Sequence, residues 1–403
     1  MNATGTDVQR PLELGIMFTH RCPIACRHCG ILSGPDNFDS MAMELAERCI
    51  TEAALLDPRP ATIVFTGGEP MMYPQHLERL LGVANQLGFA TRVITNGFWG
   101  RNQATGRRLL YRLQLAGLDS LNFSADKFHL EFLPAEVFRR AIEIAWEAGF
   151  PVIVNTVLNM PGDPVALFSR LYGIPTEKIR LFDEDEFIRQ VATDTVPPEL
   201  TQMVNLSFGR LVGLGRAAEY PEEHYRSDLA AYTYTPCQEV VHRPVIYPDG
   251  SFQACCCAGG KIASFTVGNV RERSLADLFD EMRTRTHFRF INQFGPRALH
   301  EAIAEMSPER SSDPDGYASI CDVCVAATKG LCAKDVDARL DHWLLKRFLE
   351  KDEISAASGP RRPEPAERDE EGVIAAGFFD TGRRLAGSPE DMKISTGSLE
   401  NVI

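Results

Sequence analysis

The chain reads as an α/β protein built on a parallel sheet, followed by a smaller cysteine-rich α+β part. Three observations lead there. From residue 12 to about 216, short β-branched or apolar runs alternate with helical patterns, which is the signature of βα units. Three cysteines, Cys22, Cys26 and Cys29, come directly after the first apolar run. All the others except Cys49 fall between Cys237 and Cys332.

Taken in order, strands are expected at 14–18, 62–66, 91–95, 119–124 and 151–158, with a sixth near 209–215. Helices are expected near 41–57, 74–88, 103–116 and 134–148. In the last of these Val137, Ala141, Ile144 and Ala148 share one face. Pro134 suits its first helical position and Gly149 a left-handed cap. Cys49 shares the apolar face of the 41–57 helix with Leu45 and Leu56 and reads as a core residue. Further on, 245–255 reads as a hairpin turning at Asp249-Gly250. Residues 351–403, with Pro360, Pro363 and Pro365 among mixed charges, read as a poorly ordered or peripherally docked tail. The division expected from this pattern is an arm at 1–12, a core at 13–220, a cysteine-rich segment at 221–340 and a C-terminal helix and tail at 341–403.

Composition narrows the function. With 403 residues, 44% hydrophobic and 24% charged, the chain can bury a full-sized core. It lacks an apolar run of roughly 18 residues and a basic-then-apolar N-terminus, so neither a membrane span nor a signal peptide is expected. A cytoplasmic location follows as an expectation. In a reducing compartment eleven cysteines point to metal or redox chemistry rather than disulfides. A net charge of −13 argues against a nucleic-acid backbone as partner.

The array C-x3-C-x2-C at Cys22, Cys26 and Cys29 offers three thiols, with no fourth ligand at zinc-finger spacing. That suits a metal centre with one open position, and a four-iron cluster better than a closed zinc site. Three free or buried thiols are the plainer alternative. Thr66-Gly67-Gly68-Glu69-Pro70 ends the second strand; its glycines permit close backbone approach and its carboxylate can accept from an ammonium group. It could also be a simple turn. Thr95-Asn96-Gly97 reads as a structural turn. Asp126 and His129 could position a substrate or move a proton, or serve as a helix cap and a surface histidine. Asn155 could line the interior or satisfy a loop.

With an aromatic ring, His28, before the last cysteine, the array resembles the signature of the radical S-adenosylmethionine (radical SAM) superfamily, and the resemblance runs over roughly residues 12–335. It implies a partial (β/α)6 TIM-like barrel, a [4Fe-4S] cluster on Cys22, Cys26 and Cys29, and S-adenosyl-L-methionine on the open iron. Reductive cleavage then yields a 5′-deoxyadenosyl radical that abstracts a hydrogen atom. By the same resemblance Gly67, Gly68 and Glu69 form the motif contacting the SAM amino group, Ser124 reaches its ribose or carboxylate, and Arg216 in Gly-Arg-Ala helps bind the carboxylate. An electron donor such as flavodoxin or ferredoxin is implied as well.

The second cysteine set resembles the auxiliary-cluster extensions called SPASM or twitch. Cys237, Cys255, Cys321 and Cys324 make one complete ligand set. Cys332 with Cys256 or Cys257 could supply part of another, but the C-x3-C partner of a full SPASM pattern is missing, position 336 being valine. A four-cysteine zinc site is the competing reading. A cysteine among 256, 257 and 332 that is not a ligand could act as hydrogen donor. The substrate class expected first is a ribosomally made peptide undergoing cross-linking or epimerisation, with a separate leader-peptide-binding protein as a possible partner. The second expectation is a twitch-type oxidoreductase or decarboxylase acting on a sugar, an aminocyclitol or another small molecule. A non-catalytic iron–sulfur or zinc protein is the reading from another class. Glu69 and Arg216 argue against it, since a structural cluster has no use for a SAM pocket.

Overall fold

The computed structural model describes residues 11–158, 162–182, 202–220, 235–255, 260–310, 317 and 319–357. Seven parallel strands form its centre: β1 (Glu13–Thr19), β2 (Thr62–Gly67), β3 (Ala90–Thr95), β4 (Ser120–Ser124), β5 (Val152–Val157), β6 (Ile179–Leu181) and β7 (Val204–Gly209). Three shorter strands follow, β8 (Val245–Ile246), β9 (Ser251–Gln253) and β10 (Thr266–Asn269). All ten join one sheet in the order β10-β9-β8-β1-β2-β3-β4-β5-β7-β6. Side chains from β1 to β5 and β7 line one cavity, so the sheet is curled around it as an open barrel.

The helices between the strands are α1 (Met43–Ala54), α2 (Pro74–Gln86), α3 (Gln103–Leu115), α4 (Lys127–Leu130), α5 (Ala135–Glu147) and α6 (Pro164–Tyr172). Each buries one stripe. In α5 it is Val137, Phe138, Ala141, Ile142, Ile144 and Ala145, the spacing of an amphipathic helix on a sheet. Pro134 stands one position earlier than expected, at the N-cap, and Gly149 takes a φ of 81° after the last turn. Leu121 and Phe123 of β4 are wholly buried. The alternate residues Asn122 and Ser124 face the cavity, as the two-residue period of a strand requires.

One expected strand is displaced. Residues 210–215 do not pair in the sheet; the sixth and seventh strands lie earlier, and β7 inserts between β5 and β6. The chain leaves the sheet after Gly209 and then passes against the cysteine loop at Gly215, whose φ is 56° and whose added Cβ would lie 2.5 Å from the carbonyl oxygens of Cys29 and Gly30. Ile179–Leu181 was hidden because three residues carry no readable period.

The hairpin expected at 245–255 is β8 and β9, paired antiparallel, with Gly250 at φ 84° in its turn. Because β8 also pairs parallel with β1, the cysteine-rich segment extends the core's own sheet. The helices α7 (Leu275–Thr284), α8 (Thr286–Met306), α9 (Ile320–Thr328) and α10 (Ala333–Ala357) follow. The chain divides into two compact units, Met1–Asp341 and His342–Ile403; within the second, the described residues are the C-terminal part of α10. The expected tail falls, beyond residue 357, outside the described residues. No helix among those described is long and apolar enough to cross a membrane.

Candidate metal and cofactor site

The three cysteines of the first array lie in the loop leaving β1, and backbone bonds from three sides fix that loop. Within it, Cys22 N–H donates to Gly34 O at 3.1 Å and Cys29 N–H to Cys26 O at 3.2 Å. From the end of β2, Gly68 N–H donates to Thr19 O at 2.7 Å and Glu69 N–H to Arg21 O at 2.8 Å. From beyond β7, Arg216 gives Nε to Cys26 O at 2.8 Å and Nη2 to Ser33 O at 2.6 Å. Its backbone N–H reaches Cys29 O at 3.1 Å.

Cys22 and Cys26 are buried beside Ile24, Phe128, Leu133 and Leu211, with Cys29 half-buried. Burial, aided by the charge of Glu69, pushes the Cys22 thiol up to about 12. Burial and the charge of Asp126 push Cys26 up as well. Neighbouring thiolates here would lack compensating charge, and a cationic metal centre supplies it. The donor set therefore fits a thiolate-bound iron–sulfur cluster with one iron left unliganded by protein.

The paired glycines serve the loop. A Cβ on Gly67 would lie 2.2 Å from Thr19 O, and one on Gly68 would lie 2.2 Å from Arg21 O. Both also line the cavity. Glu69 does not. Its carboxylate is fully buried and accepts from Met71 N–H at 3.1 Å, Thr95 Oγ1 at 2.9 Å and Asn96 N–H at 2.7 Å. Burial outweighs these bonds and pushes the carboxyl up to about 7. The expected direct SAM contact from this side chain thus gives way to a bracing role between β2 and β3.

The cavity is about 980 Å³ and reaches Cys22, Cys26, Cys29, Ser124, Asn155 and Arg216. Three buried polar atoms on its wall, Asn122 Oδ1, Thr156 Oγ1 and Ser33 Oγ, have no hydrogen-bond partner. Buried polar atoms are ordinarily satisfied, so this lining fits a polar ligand carrying hydroxyl and amine groups. Asn122 was detectable in sequence as a polar residue within an apolar strand. Thr156 and Ser33 gave no such signal.

Asp126, wholly buried, caps α4 by accepting from Phe128 N–H at 2.9 Å and His129 N–H at 3.1 Å. The same carboxylate meets His129 Nδ1 at 2.9 Å and His28 Nε2 at 3.2 Å. Burial opposes its charge, but the two histidines more than offset that and hold the carboxyl well below its ordinary range. Of the two readings open in sequence, helix capping is realised. His129 is not a surface residue but lines the cavity.

The second set converges elsewhere. Cys237, Cys255, Cys321 and Cys324 line one small pocket among Val240, Ile262, Phe265 and Ile291. Burial and the other three thiols push Cys324 up strongly, and Cys237 rises to about 11 through burial and Cys255. Cys332 does not join them. It is exposed at the start of α10, its N–H donating to Asp335 Oδ2 at 3.1 Å. A turn at Gly330, φ 73°, separates it from Cys324. Cys256 and Cys257 lie outside the described residues.

Residues 16–170 match the family model of the radical SAM superfamily. A relative from Bacillus subtilis (strain 168), YydG, named for peptide biosynthesis, is 25% identical over 312 residues, 77% of this chain and 90% of its own. Among solved structures, anSMEcpe with bound AdoMet aligns at a TM-score of 0.45 and 13% identity, over 85% of this chain and 100% of that one. SuiB of Streptococcus suis aligns at 0.38 and 16% identity, over 67% of this chain and 66% of its own. Residues 16–170, which contain the three-cysteine loop, thus carry a radical SAM domain, the mark of an S-adenosylmethionine-dependent enzyme.

Proposed function

We propose that the chain modifies a ribosomally made peptide, holding a [4Fe-4S] cluster on Cys22, Cys26 and Cys29 and an auxiliary iron–sulfur cluster on Cys237, Cys255, Cys321 and Cys324. The observation that carries the cofactor reading is that one cavity gathers the first three cysteines, Gly67, Gly68, Ser124 and Arg216. Support for a peptide substrate comes from the relative named for peptide biosynthesis, aligned along 77% of this chain. When bound, SAM at a reduced cluster supplies a 5′-deoxyadenosyl radical for hydrogen abstraction.

The chain's own residues have separate tasks in this reading. Arg216 holds the cluster loop by two of its donors and borders the space for SAM. Ser124, Asn122 and Thr156 offer hydroxyl and amide groups to the ligand. Ile153, Val157 and Phe208 add an apolar stretch to a wall that is otherwise partly charged, and that stretch helps shield a radical centre from water. The four cysteines of the second pocket suit a cluster by number and by the softness of their donors. The electron would come from a flavodoxin- or ferredoxin-type donor.

The test is to co-express the chain with short peptides encoded beside its gene and read their masses and stereochemistry. Loss of two hydrogens marks a cross-link, and deuterium taken up from D2O without other mass change marks epimerisation. Formation of 5′-deoxyadenosine with no peptide altered, but with a small metabolite consumed, would overturn the peptide reading and leave the cofactor reading standing.

A further inference from the structure

Asn96 belongs to a turn sequence, yet its side chain is buried and faces the cysteine loop. Its Nδ2 lies 3.5 Å from Cys22 Sγ, within reach of an N–H···S bond. The orientation of the amide is not arbitrary, because Oδ1 accepts from Phe98 N–H at 3.0 Å, which leaves the NH2 group toward the sulfur. The backbone is held equally firmly: Asn96 N–H donates to Glu69 Oε2 at 2.7 Å. Thr95 Oγ1, which donates to the other oxygen of Glu69, itself accepts from Gly97 N–H at 3.1 Å and Trp99 Nε1 at 3.2 Å. The bracing carboxylate of Glu69 thus ends, through one residue, at a cysteine of the metal array.

We propose that Asn96 is a positioning residue that raises the reduction potential of the cluster on Cys22, Cys26 and Cys29, and that Glu69 serves the reaction by holding Asn96 in place. The inference rests on the reading of those three cysteines as cluster ligands. Its physical basis is simple. One-electron reduction adds negative charge that spreads onto the sulfurs, so a fixed N–H donor stabilises the reduced state more than the oxidised one. Partners of this kind, bonded to a ligand rather than to the metal, tune metal centres. The donor here is buried, which keeps water from replacing it.

The test is an EPR-monitored redox titration of the reconstituted full chain without SAM, following the signal that a Cys22→Ala/Cys26→Ala/Cys29→Ala variant lacks. Asn96→Leu removes the donor. Asn96→Asp keeps the acceptor for Phe98 N–H and replaces the N–H toward sulfur by a carboxylate oxygen, so it guards against a folding artefact while its added negative charge acts in the same direction as the lost donor. Both are expected to lower the reduced-to-oxidised ratio at fixed potential about tenfold, equivalent to about 59 mV for a one-electron couple. Glu69→Gln, which leaves Asn96 present but loosens it, is expected to shift the ratio less and in the same direction. An unchanged potential in variants that keep the signal would overturn the proposal, even if their SAM affinity fell. A wild type with no signal dependent on the three cysteines would instead defeat the cluster reading itself.

Discussion

Asp126 stands between two histidines, its Oδ1 2.9 Å from His129 Nδ1 and its Oδ2 3.2 Å from His28 Nε2. His28 belongs to the cysteine loop and His129 to the helix after β4, so one carboxylate ties the metal array to the fourth strand. His28 also stacks on Phe128 at 4.7 Å. Replacing Asp126 with alanine leaves two half-buried histidines and a helix start without their acceptor. The expected cost is roughly 3–5 kcal/mol, the range for breaking a buried pair. Asp126→Asn should cost less, because its carbonyl still caps α4. The carboxyl is held below its ordinary value of 3.8, so its contribution is complete above that pH and is lost as pH falls below it. Urea unfolding of Asp126→Asn should therefore show a flatter acid limb than wild type.

Glu69 works in the opposite direction. Its carboxyl is raised from 4.5 to about 7 by burial, so the folded state binds its proton more tightly than the unfolded chain. The stability that this group contributes is full below 4.5 and is lost as pH rises through about 7. In Glu69→Gln the melting temperature should vary less over that interval, at the expense of the Asn96 N–H bond. A melting profile as steep as wild type between those values would show that another group is responsible.

The contrast between Gly68 and Gly82 separates packing from helix propensity. An added Cβ at Gly68 meets Arg21 O at 2.2 Å, whereas one at Gly82, inside α2, meets nothing within 4 Å. Gly68→Ala should push the cysteine loop away and reduce the iron retained after reconstitution from about eight toward about four per chain. Gly82→Ala should leave iron unchanged and add about 1 kcal/mol of stability, the helix preference for alanine over glycine. Paired iron assays and denaturant curves check both.

Much of this architecture was legible because its periods are long. The α5 stripe at Val137, Ala141 and Ile144 and the strands 62–67, 90–95 and 120–124 repeat often enough to register. Three-residue β6 does not, and the approach of Gly215 to Cys29 and Gly30 joins positions almost two hundred apart in sequence. The site divides the same way. The cysteine spacing announced the metal array, but the direction of a side chain is set by tertiary contacts, so Glu69 turned inward, Asn96 toward Cys22 and Cys332 to solvent. Nothing in the local pattern of Thr95-Asn96-Gly97 distinguishes a turn from a turn that also bonds a sulfur.

Iron, sulfide and zinc per chain after anaerobic reconstitution test the two-cluster reading most directly. Wild type should bind about eight irons, falling to about four when Cys22, Cys26 and Cys29 are replaced together. Replacing Cys237, Cys255, Cys321 and Cys324 should likewise leave about four, and Cys332→Ala should leave about eight. Zinc in place of iron, unaffected by loss of the first three cysteines, would contradict an iron–sulfur cluster on Cys22, Cys26 and Cys29.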